Sequence, residues 1–325
     1  MKVAVVGAGG IGGYYGALLH QAGHQVTFLA RGPHLAAIRE RGLRVESVLL
    51  PEPVSLQVRA TERSEDIGPV DLVLFSVKSY DTDTAAAVLP ALIAAQTAVL
   101  TLQNGVDNVD RLSERVGRTH VLGGACYIFT AIASPGVIRH TGGSRRVVFG
   151  ELDGGLTPRG QAIRDAFAAT GVPVDLSPQI LVALWEKYLF ITAQGGMTAL
   201  TRLPIGPIRQ SPATMEMYLD VASEVAAVGR AHGVPLPDGE RARVQRAAEA
   251  LGPASYSSLY TDLIHGRRME LDALPGHTVR LGTRYHIPTP VCRAIYAALI
   301  PYDEAARRGV ALPIHGPLAE HPAPS

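Results

Sequence analysis

Six residues near the start of the chain constrain the fold more than any other segment. An apolar strand is predicted at residues 2–6, and it runs into a glycine-rich turn that opens a helix predicted at 11–22. The turn fits the pattern G-x-G-x-x-G with Gly7, Ala8, Gly9, Gly10, Ile11 and Gly12. Between a strand and a helix, this spacing is typical of dinucleotide binding, because the glycines permit a tight turn, close approach of a pyrophosphate and close helix–strand packing. The alternative is a flexible turn without a ligand.

The order of apolar runs predicts the fold class. Buried strands at 2–6, 25–30, 71–77 and 98–102 are separated by helices at 11–22, 33–41 and 82–95. Strands without polar alternation, separated by helices, indicate a parallel sheet covered on both faces. Further strands are predicted within 119–151 and at 172–176, and the pattern from residue 179 onward is helical. We therefore predict an α/β protein with a doubly wound Rossmann domain over 1–178 and an all-helical domain over 179–325.

Composition excludes several classes of protein. Thirty Lys and Arg residues against 29 Asp and Glu give a net charge of +1, so no broad basic field points to a nucleic-acid or membrane-surface partner. A hydrophobic content of 47% excludes a disordered chain. The two cysteines, Cys126 and Cys292, are far apart and show no ligand spacing, so neither a disulfide framework nor a metal site is predicted. Without a signal peptide or a membrane-spanning run, a cytoplasmic location is expected.

Arg31 follows the second predicted strand, where an NAD site would place an acid for the ribose 2′-hydroxyl. A guanidinium suits a 2′-phosphate, to which it donates charge-assisted hydrogen bonds. The sequence thus favours NADPH as the cofactor. A solvated surface arginine is the alternative.

Two polar residues follow neighbouring strands. Lys78 comes after the strand at 71–77, and Asn104 comes after the strand at 98–102. Ligands of doubly wound folds bind at the carboxyl ends of the strands. Lys78 is predicted to hold the cofactor, and Asn104 the ribose or the substrate; an exposed lysine and a helix-capping asparagine are the alternatives.

Lys187 lies in a long apolar helix, where Glu186 and Lys187 are the only charges between residues 180 and 201. A lysine in apolar surroundings gives up its proton more readily, since desolvation disfavours the cation. Such a lysine can protonate the alkoxide that forms when a ketone receives a hydride. The alternative is a lysine whose stem packs on the core while its amine reaches water.

Several motifs occur together in the order of one family. They are GAGGIG at 7–12, Arg31, SVKSYDT at 76–82, LQNG at 102–105, WEK at 185–187, SSLYTD at 257–262, MELDALPG at 269–276 and HIPTP at 286–290. In this order the chain resembles the ketopantoate reductase family over nearly its whole length. The resemblance implies NADPH-dependent reduction of 2-dehydropantoate to pantoate, in a cleft between the two domains, by a homodimer.

The resemblance also implies roles for individual residues. Lys187 would be the general acid and would contact the substrate. Glu270 would orient Lys187, balance its charge and touch the nicotinamide ribose. Asn104 would help to hold the substrate and cofactor, and Ser258 would bond the substrate carboxylate.

The chain departs from the family where asparagines are expected to hold the substrate. Those positions carry Ile191, Gly195, Ile205 and Ser255. Loss of polar partners relaxes or redirects selectivity, so the reaction class is better supported than the substrate. Arg202 is a candidate replacement anchor for a carboxylate, with a surface arginine at a helix end as the alternative.

Three functional hypotheses follow. The first is an NADPH-dependent reductase of a small-molecule 2-oxo acid, with 2-dehydropantoate as its substrate. The second is a reductase of the same family that acts on a more apolar 2-oxo acid, as Ile191 and Ile205 favour, or on an imine. The third is a non-catalytic NADP-binding sensor, against which the retained Lys187 and Glu270 count.

Overall fold

A computed structural model of the chain describes residues 1–310 and 312–313. The chain divides into two compact units, Met1–Trp185 and Glu186–Ser325. The division falls inside one long helix, whereas the sequence places the domain boundary near residue 178, which stays a prediction. The last part of the predicted second domain, residue 311 and residues 314–325, lies outside the described residues.

The first unit contains twelve strands among its residues. They are β1 (Lys2–Val6), β2 (Gln25–Leu29), β3 (Leu43–Ser47), β4 (Val54–Leu56), β5 (Arg59–Thr61), β6 (Leu72–Phe75), β7 (Ala98–Thr101), β8 (Val121–Cys126), β9 (Phe129–Ser134), β10 (Val137–Gly142), β11 (Val147–Glu151) and β12 (Val174–Leu176). Its helices are α1 (Gly10–Gln21), α2 (Gly32–Arg41), α3 (Thr82–Ala86), α4 (Asn108–Val116) and α5 (Pro158–Ala168).

Eight strands form the main sheet, in the order β12-β11-β8-β7-β6-β1-β2-β5. Neighbours from β5 to β8 are all parallel, and their chain order reads 3-2-1-4-5-6, the order of doubly wound dinucleotide-binding sheets. Val6 at the end of β1 is paired with both Leu29 of β2 and Phe75 of β6. The predicted α/β class is therefore confirmed, and the loops after β1, β2 and β6 leave the sheet at the same edge.

A second sheet of four strands, in the order β4-β3-β10-β9, was not predicted from the sequence. Its strand β3 alternates, with Leu43 and Val45 buried between charged residues, so it does not form an uninterrupted apolar run. The strand β4 has only three residues, too few to show a period. This sheet contacts α1: a Cβ added to Gly13 would lie 2.7 Å from Ile138 of β10.

The helix predicted at 82–95 is wrong in its length. The structure has α3 over Thr82–Ala86 and then a short 3-10 turn over Leu89–Ala91. Pro90 explains the early end, since it has no N–H to donate to the carbonyl of Ala86 and its ring crowds that carbonyl.

The described part of the second unit is helical and contains no strand. The long helix α6 (Ile180–Thr201) enters it from the first unit, and it is followed by α7 (Ile205–Gln210), α8 (Pro212–Ala231), α9 (Glu240–Glu249), α10 (Ser258–Ile264), α11 (Pro275–Tyr285) and α12 (Pro290–Arg307). The sequence predicted a break at Gly206-Pro207, where the structure has the short helix α7. Pro207 is tolerated there because it falls in the first turn, where its missing N–H is not needed.

Candidate active site

The first and third glycines of the fingerprint are required by the packing of the protein itself. Gly7 has φ +97°, and a Cβ on it would lie 2.7 Å from the backbone nitrogen of Val77. A Cβ on Gly12 would overlap the carbonyl oxygen of Gly7 and the hydroxyl of Ser76. The Ser76 hydroxyl donates a hydrogen bond of 2.9 Å to the same carbonyl, which fixes the turn against β6. These positions act as the sequence predicted: one permits the turn, and the other permits close packing.

The second glycine is not required by packing. A Cβ on Gly9 would meet no protein atom within 4 Å, and its φ of −77° is open to any residue. Gly9 precedes α1, which has no capping side chain and no acidic residue in its first turn. The first N–H groups of a helix lack intrahelical acceptors and attract anions. The turn therefore fits the pyrophosphate of a dinucleotide, with Gly9 leaving room for it.

Arg31 lies at the same edge of the sheet, directly before α2. Its side chain is 85% exposed and lies 3.9 Å from a carboxylate oxygen of Asp81, which follows β6. An exposed ion pair at this distance contributes little stability, about 0–1 kcal/mol, so the guanidinium can turn toward a ligand phosphate. The prediction of Arg31 as a 2′-phosphate ligand is compatible with this position.

Lys78 and Asn104 are brought close in the fold because β6 and β7 are adjacent and parallel, with Phe75 opposite Thr101. Both side chains are half-buried. The structure therefore places the two predicted residues in neighbouring loops at the edge that carries the fingerprint.

A buried hydrogen-bond network joins these two loops, and sequence reasoning missed it. The amide nitrogen of Gln103 donates to the carbonyl oxygen of Val77 (3.0 Å) and to the hydroxyl of Thr82 (2.8 Å). The Thr82 hydroxyl bonds the side chain of Asn108, which donates to the carbonyl oxygen of Asn104. Gln103 directly precedes Asn104 in the motif LQNG, and Thr82 follows Lys78 by four residues in the motif SVKSYDT. Their places in these motifs were the sequence signal that could have pointed to the network.

His34 on α2 connects the neighbourhood of the fingerprint to the second sheet. Its Nδ1 accepts a hydrogen bond of 3.0 Å from the backbone N–H of Gly136, in the turn between β9 and β10. An accepting Nδ1 requires the neutral ring, in the tautomer that carries its proton on Nε2. Burial lowers the pKa of His34, against the opposing effect of a hydrogen bond to the Ala8 backbone, and this direction favours the neutral ring.

In the second unit, Lys187 lies on α6 with a side chain that is about nine-tenths buried. Its neighbour Glu186 is more exposed and forms an ion pair of 3.3 Å with Arg243 of α9. Of the two charged side chains on this apolar helix, Lys187 is thus buried and Glu186 is partly exposed. Tyr188, next to Lys187, donates a hydrogen bond of 2.6 Å to the carbonyl oxygen of Leu274.

Glu270 is also buried, on the segment that leads into α11. That segment is tied to α6 through the Tyr188–Leu274 bond, and its backbone turns so that Leu274 N–H donates to the Glu270 carbonyl. The structure therefore brings together the two elements that carry Lys187 and Glu270, the predicted catalytic pair.

Asp303 of α12 also holds this segment, and no motif in the sequence pointed to it. Its carboxylate has no exposed surface; one oxygen accepts the Met269 N–H at 2.6 Å, and the other pairs with Arg307. Arg307 also binds Asp272, which accepts from Tyr296 as well. Burial alone would raise the pKa of Asp272, but these hydrogen bonds outweigh it and hold the pKa below its usual range.

Ser258 begins α10, with an exposed side chain. The preceding Ser257 caps the helix by accepting the Tyr260 N–H, and its hydroxyl bonds that of Thr198 on α6 at 2.7 Å. Ser258 is thereby fixed beside α6, three helical turns beyond Lys187. Asp262, one helical turn after Ser258, forms an ion pair with Arg267 at 3.1 Å.

The positions at which the chain departs from the family differ in how far they are buried. Ile191 is half-buried, and Gly195 is buried beside Leu259. Ile205 has no exposed surface, and its N–H donates to the Ser255 carbonyl. The expectation that Ile205 offers an apolar surface to the substrate is therefore corrected, because its side chain is wholly enclosed by the protein.

Arg202 directs its side chain to its own unit. One nitrogen donates to the Leu200 carbonyl at 2.7 Å, and another lies 3.3 Å from the Tyr302 hydroxyl. Its guanidinium also lies over the Tyr302 ring, 5.6 Å from the centroid. An anchoring role for Arg202 would require it to leave these contacts.

Residues 1–310 and 312–313 include no group of three His, Cys, Asp or Glu side chains arranged to hold a metal ion. Within the same residues, no helix combines the length and apolar character needed to cross a membrane. Both cysteines are buried and unpaired with each other.

The doubly wound sheet, the uncapped helix behind a glycine turn and the buried lysine define a dinucleotide-dependent enzyme. Comparison with known sequences makes this specific. The family profile "Ketopantoate reductase PanE/ApbA" matches residues 3–154, and its C-terminal counterpart matches residues 179–303. The chain belongs to the ketopantoate reductase family, and it is an oxidoreductase.

Individual relatives extend over almost the whole chain. An uncharacterized oxidoreductase, YkpB, of Bacillus subtilis is 33% identical over 93% of this chain and 99% of its own. The 2-dehydropantoate 2-reductase of Caulobacter vibrioides is 32% identical over 92% and 98%. A crystal structure of a ketopantoate reductase family protein from Ralstonia eutropha superposes with a TM-score of 0.86 at 38% identity, covering 94% of this chain and all of that one.

Proposed function

We propose that this protein reduces a 2-oxo acid to the 2-hydroxy acid with NADPH, in the manner of 2-dehydropantoate reduction to pantoate. The observation that carries the proposal is the buried Lys187, on a helix bonded to the segment that bears Glu270. A lysine and a glutamate enclosed in neighbouring elements are suited to proton transfer, because general acid–base catalysis uses ionisable side chains held in fixed positions.

NADPH is favoured over NADH by the local charges. The N–H groups at the start of α1 would donate hydrogen bonds to the pyrophosphate, and Arg31 is exposed and can reach a 2′-phosphate. Asp81 near Arg31 opposes this preference modestly, since like charge repels a phosphate. Lys78 and Asn104 would contact the cofactor from the loops that Gln103 holds together.

The roles proposed for the protein's own groups are those that the family resemblance implies. When bound, NADPH supplies the hydride that adds to the carbon of the 2-oxo group. Lys187 donates a proton to the oxygen that becomes an alkoxide, and then regains a proton from solvent. Glu270 keeps the lysine oriented and balances its charge, and Ser258 donates a hydrogen bond to the substrate carboxylate.

The test is Lys187→Ala. General acid catalysis contributes about 10²- to 10⁴-fold, so kcat should fall by that factor. The dissociation constant for NADPH should stay nearly unchanged, because the predicted cofactor residues apart from Glu270 lie in the other unit. A kcat within about threefold of wild type would refute the assigned role.

A further inference from the structure

We propose that His34 is a positioning residue for the cofactor: its ring fixes the start of α2, and with it Arg31, beside the fingerprint turn. His34 itself is assigned no contact with NADPH. The inference rests on the proposed function in one respect, since it assumes that NADPH binds at the fingerprint turn and that Arg31 meets its 2′-phosphate. All of the residues concerned belong to the first unit.

The start of α2 depends on contacts outside the helix. Arg31 directly precedes the helix, and its side chain does not cap the first turn. A Cβ on Gly32 would meet no protein atom within 4 Å, and the next residue, Pro33, has no N–H to donate. His34 is the first residue of α2 that is partly buried. A movement of this turn would carry Arg31 along with it, and His34 is the side chain placed to prevent that movement.

The ring of His34 joins α2 to two segments that are distant in the chain. Its Nδ1 accepts the N–H of Gly136, 102 residues away, at 3.0 Å. The same ring interacts with the backbone of Ala8 in the fingerprint turn, and its Nε2 is buried. His34 thus contacts both the fingerprint turn and the turn between β9 and β10.

The hairpin of β9 and β10 gives this contact a firm support, because it packs at backbone distance against both helices. A Cβ on Gly10 of α1 would lie 2.6 Å from the carbonyl oxygen of Thr130 in β9. A Cβ on Gly136 would lie 3.0 Å from Ala37 of α2. The hairpin cannot move closer to either helix, so its hydrogen bond to His34 holds α2 at a set distance from the start of α1.

Protonation of His34 would break this connection, because an imidazolium has no acceptor nitrogen for the Gly136 N–H. The fingerprint turn and residues 134–136 carry no charged side chain. On the adjoining elements α2, β3 and β10, the charged residues nearest to the ring by their spacing are all exposed except the half-buried Glu46, and they are Arg31, Arg41, Arg44, Glu46 and Arg139. Burial lowers the pKa of His34, and none of these charged groups contributes to the shift. The ring therefore makes its bond at neutral pH and loses it in acid.

Two variants separate the hydrogen bond from the size of the side chain. His34→Asn keeps a carbonyl oxygen that can accept the Gly136 N–H and does not titrate, whereas His34→Leu removes the acceptor. Without the bond, the start of α2 is in place for only part of the time, and the apparent affinity for NADPH falls in proportion. In fluorescence titrations at about pH 8, we expect His34→Leu to bind NADPH about tenfold more weakly than wild type and His34→Asn to stay within about threefold.

A comparison of two cofactors distinguishes positioning of Arg31 from a general loss of structure. NADH has no 2′-phosphate, so His34→Leu should weaken its binding by less than about threefold. In an Arg31→Ala background, His34→Leu should likewise weaken NADPH binding by less than about threefold, because the guanidinium that it positions is gone. Equal losses for NADPH and NADH, or an undiminished loss in the Arg31→Ala background, would overturn the inference.

The pH dependence of binding is measured with NADP⁺, which is stable in acid. Between about pH 8 and 4.5, the dissociation constant should rise more steeply for wild type than for His34→Asn as the pH falls. The 2′-phosphate of the ligand titrates near pH 6 with both proteins, so its effect cancels in the ratio of the two dissociation constants. A ratio that stays constant over this range would contradict the inference, and this comparison holds even if His34→Leu does not fold.

These titrations need no turnover, so their result is separate from that of the proposed reaction. If no 2-oxo acid supports NADPH oxidation, the proposed function fails, and the dissociation constants still decide the inference. Failure of wild type to bind NADPH would overturn both.

Discussion

Two glycines of the fingerprint turn should respond differently to replacement by alanine. Gly12→Ala should lower the stability of the protein, whereas Gly9→Ala should lower its affinity for NADPH. In Gly12→Ala, the new methyl group overlaps the Gly7 carbonyl and Ser76 hydroxyl and lies 2.8 Å from Val5. Overpacking costs about 1–3 kcal/mol, and we expect about 3 kcal/mol because a backbone carbonyl cannot rotate away. At about 2–4 °C for each kcal/mol, the melting temperature should fall by about 6–12 °C.

Gly9→Ala should leave stability nearly unchanged. The methyl group meets no protein atom within 4 Å. Alanine is poorer than glycine before a helix by up to about 1 kcal/mol, but it stabilises by about 0.4–1 kcal/mol through the unfolded chain. The two effects offset each other to within about 0.5 kcal/mol. We expect its effect on cofactor binding instead, because the methyl group would lie where the pyrophosphate is proposed to bind.

Thermal unfolding of the ligand-free variants and fluorescence titration with NADPH measure the two effects. We expect ligand-free Gly9→Ala to have the same melting temperature as wild type. It should bind NADPH at least about tenfold more weakly, a loss of about 1.4 kcal/mol in binding free energy. Wild-type affinity in Gly9→Ala would refute the assignment of this helix end to phosphate. Wild-type melting of Gly12→Ala would refute the packing argument.

Three further predictions concern cofactor choice, positioning and pH. Arg31→Ala should raise the KM for NADPH far more than that for NADH, and equal effects in steady-state kinetics would exclude the 2′-phosphate role. Asp303→Ala leaves the buried Met269 N–H without its acceptor, so thermal unfolding should show a loss of about 1–3 kcal/mol. Its kcat should fall as well, and Asp303→Asn, which keeps an acceptor, should restore kcat; no restoration would mean that the acceptor does not position the segment. Because the pKa of Asp272 is held below its unfolded value, its contribution to stability is present above about pH 4 and is lost as the pH falls through the folded pKa. Wild type should therefore lose more melting temperature than Asp272→Asn between neutral and acid pH, and parallel losses would contradict this.

The parts of the fold that could be predicted from the sequence are the strands whose side chains are buried on both faces of the sheet. Strands β1, β6 and β7 are buried on both faces and read as continuous apolar runs. The strand β3 alternates and β4 is very short, so the second sheet left no comparable pattern. α7 was missed because Gly206-Pro207 is typical of a break and is also allowed in a first turn.

The candidate site also has one part that could be predicted from the sequence and another that could not. The fingerprint is local in sequence, and its geometry followed from spacing alone. Gln103 and Asp303 act through partners 26 and 34 residues away, Val77 and Met269, so their positioning roles depend on contacts that only the fold creates. The roles of Lys187, Glu270, Asn104 and Ser258 in the reaction stay predictions, as does the homodimer.

We expect this protein to transfer a hydride from NADPH to a 2-oxo acid with Lys187 as the proton donor. The direct measurement is the rate of NADPH oxidation, with chemical analysis of the product, across a panel of 2-oxo acids for wild type and Lys187→Ala. One 2-hydroxy acid should form for each NADPH oxidised, and the rate should be about 10²- to 10⁴-fold lower in the variant at unchanged NADPH affinity. Tight NADPH binding by wild type without turnover of any acid would refute this assignment of hydride and proton transfer.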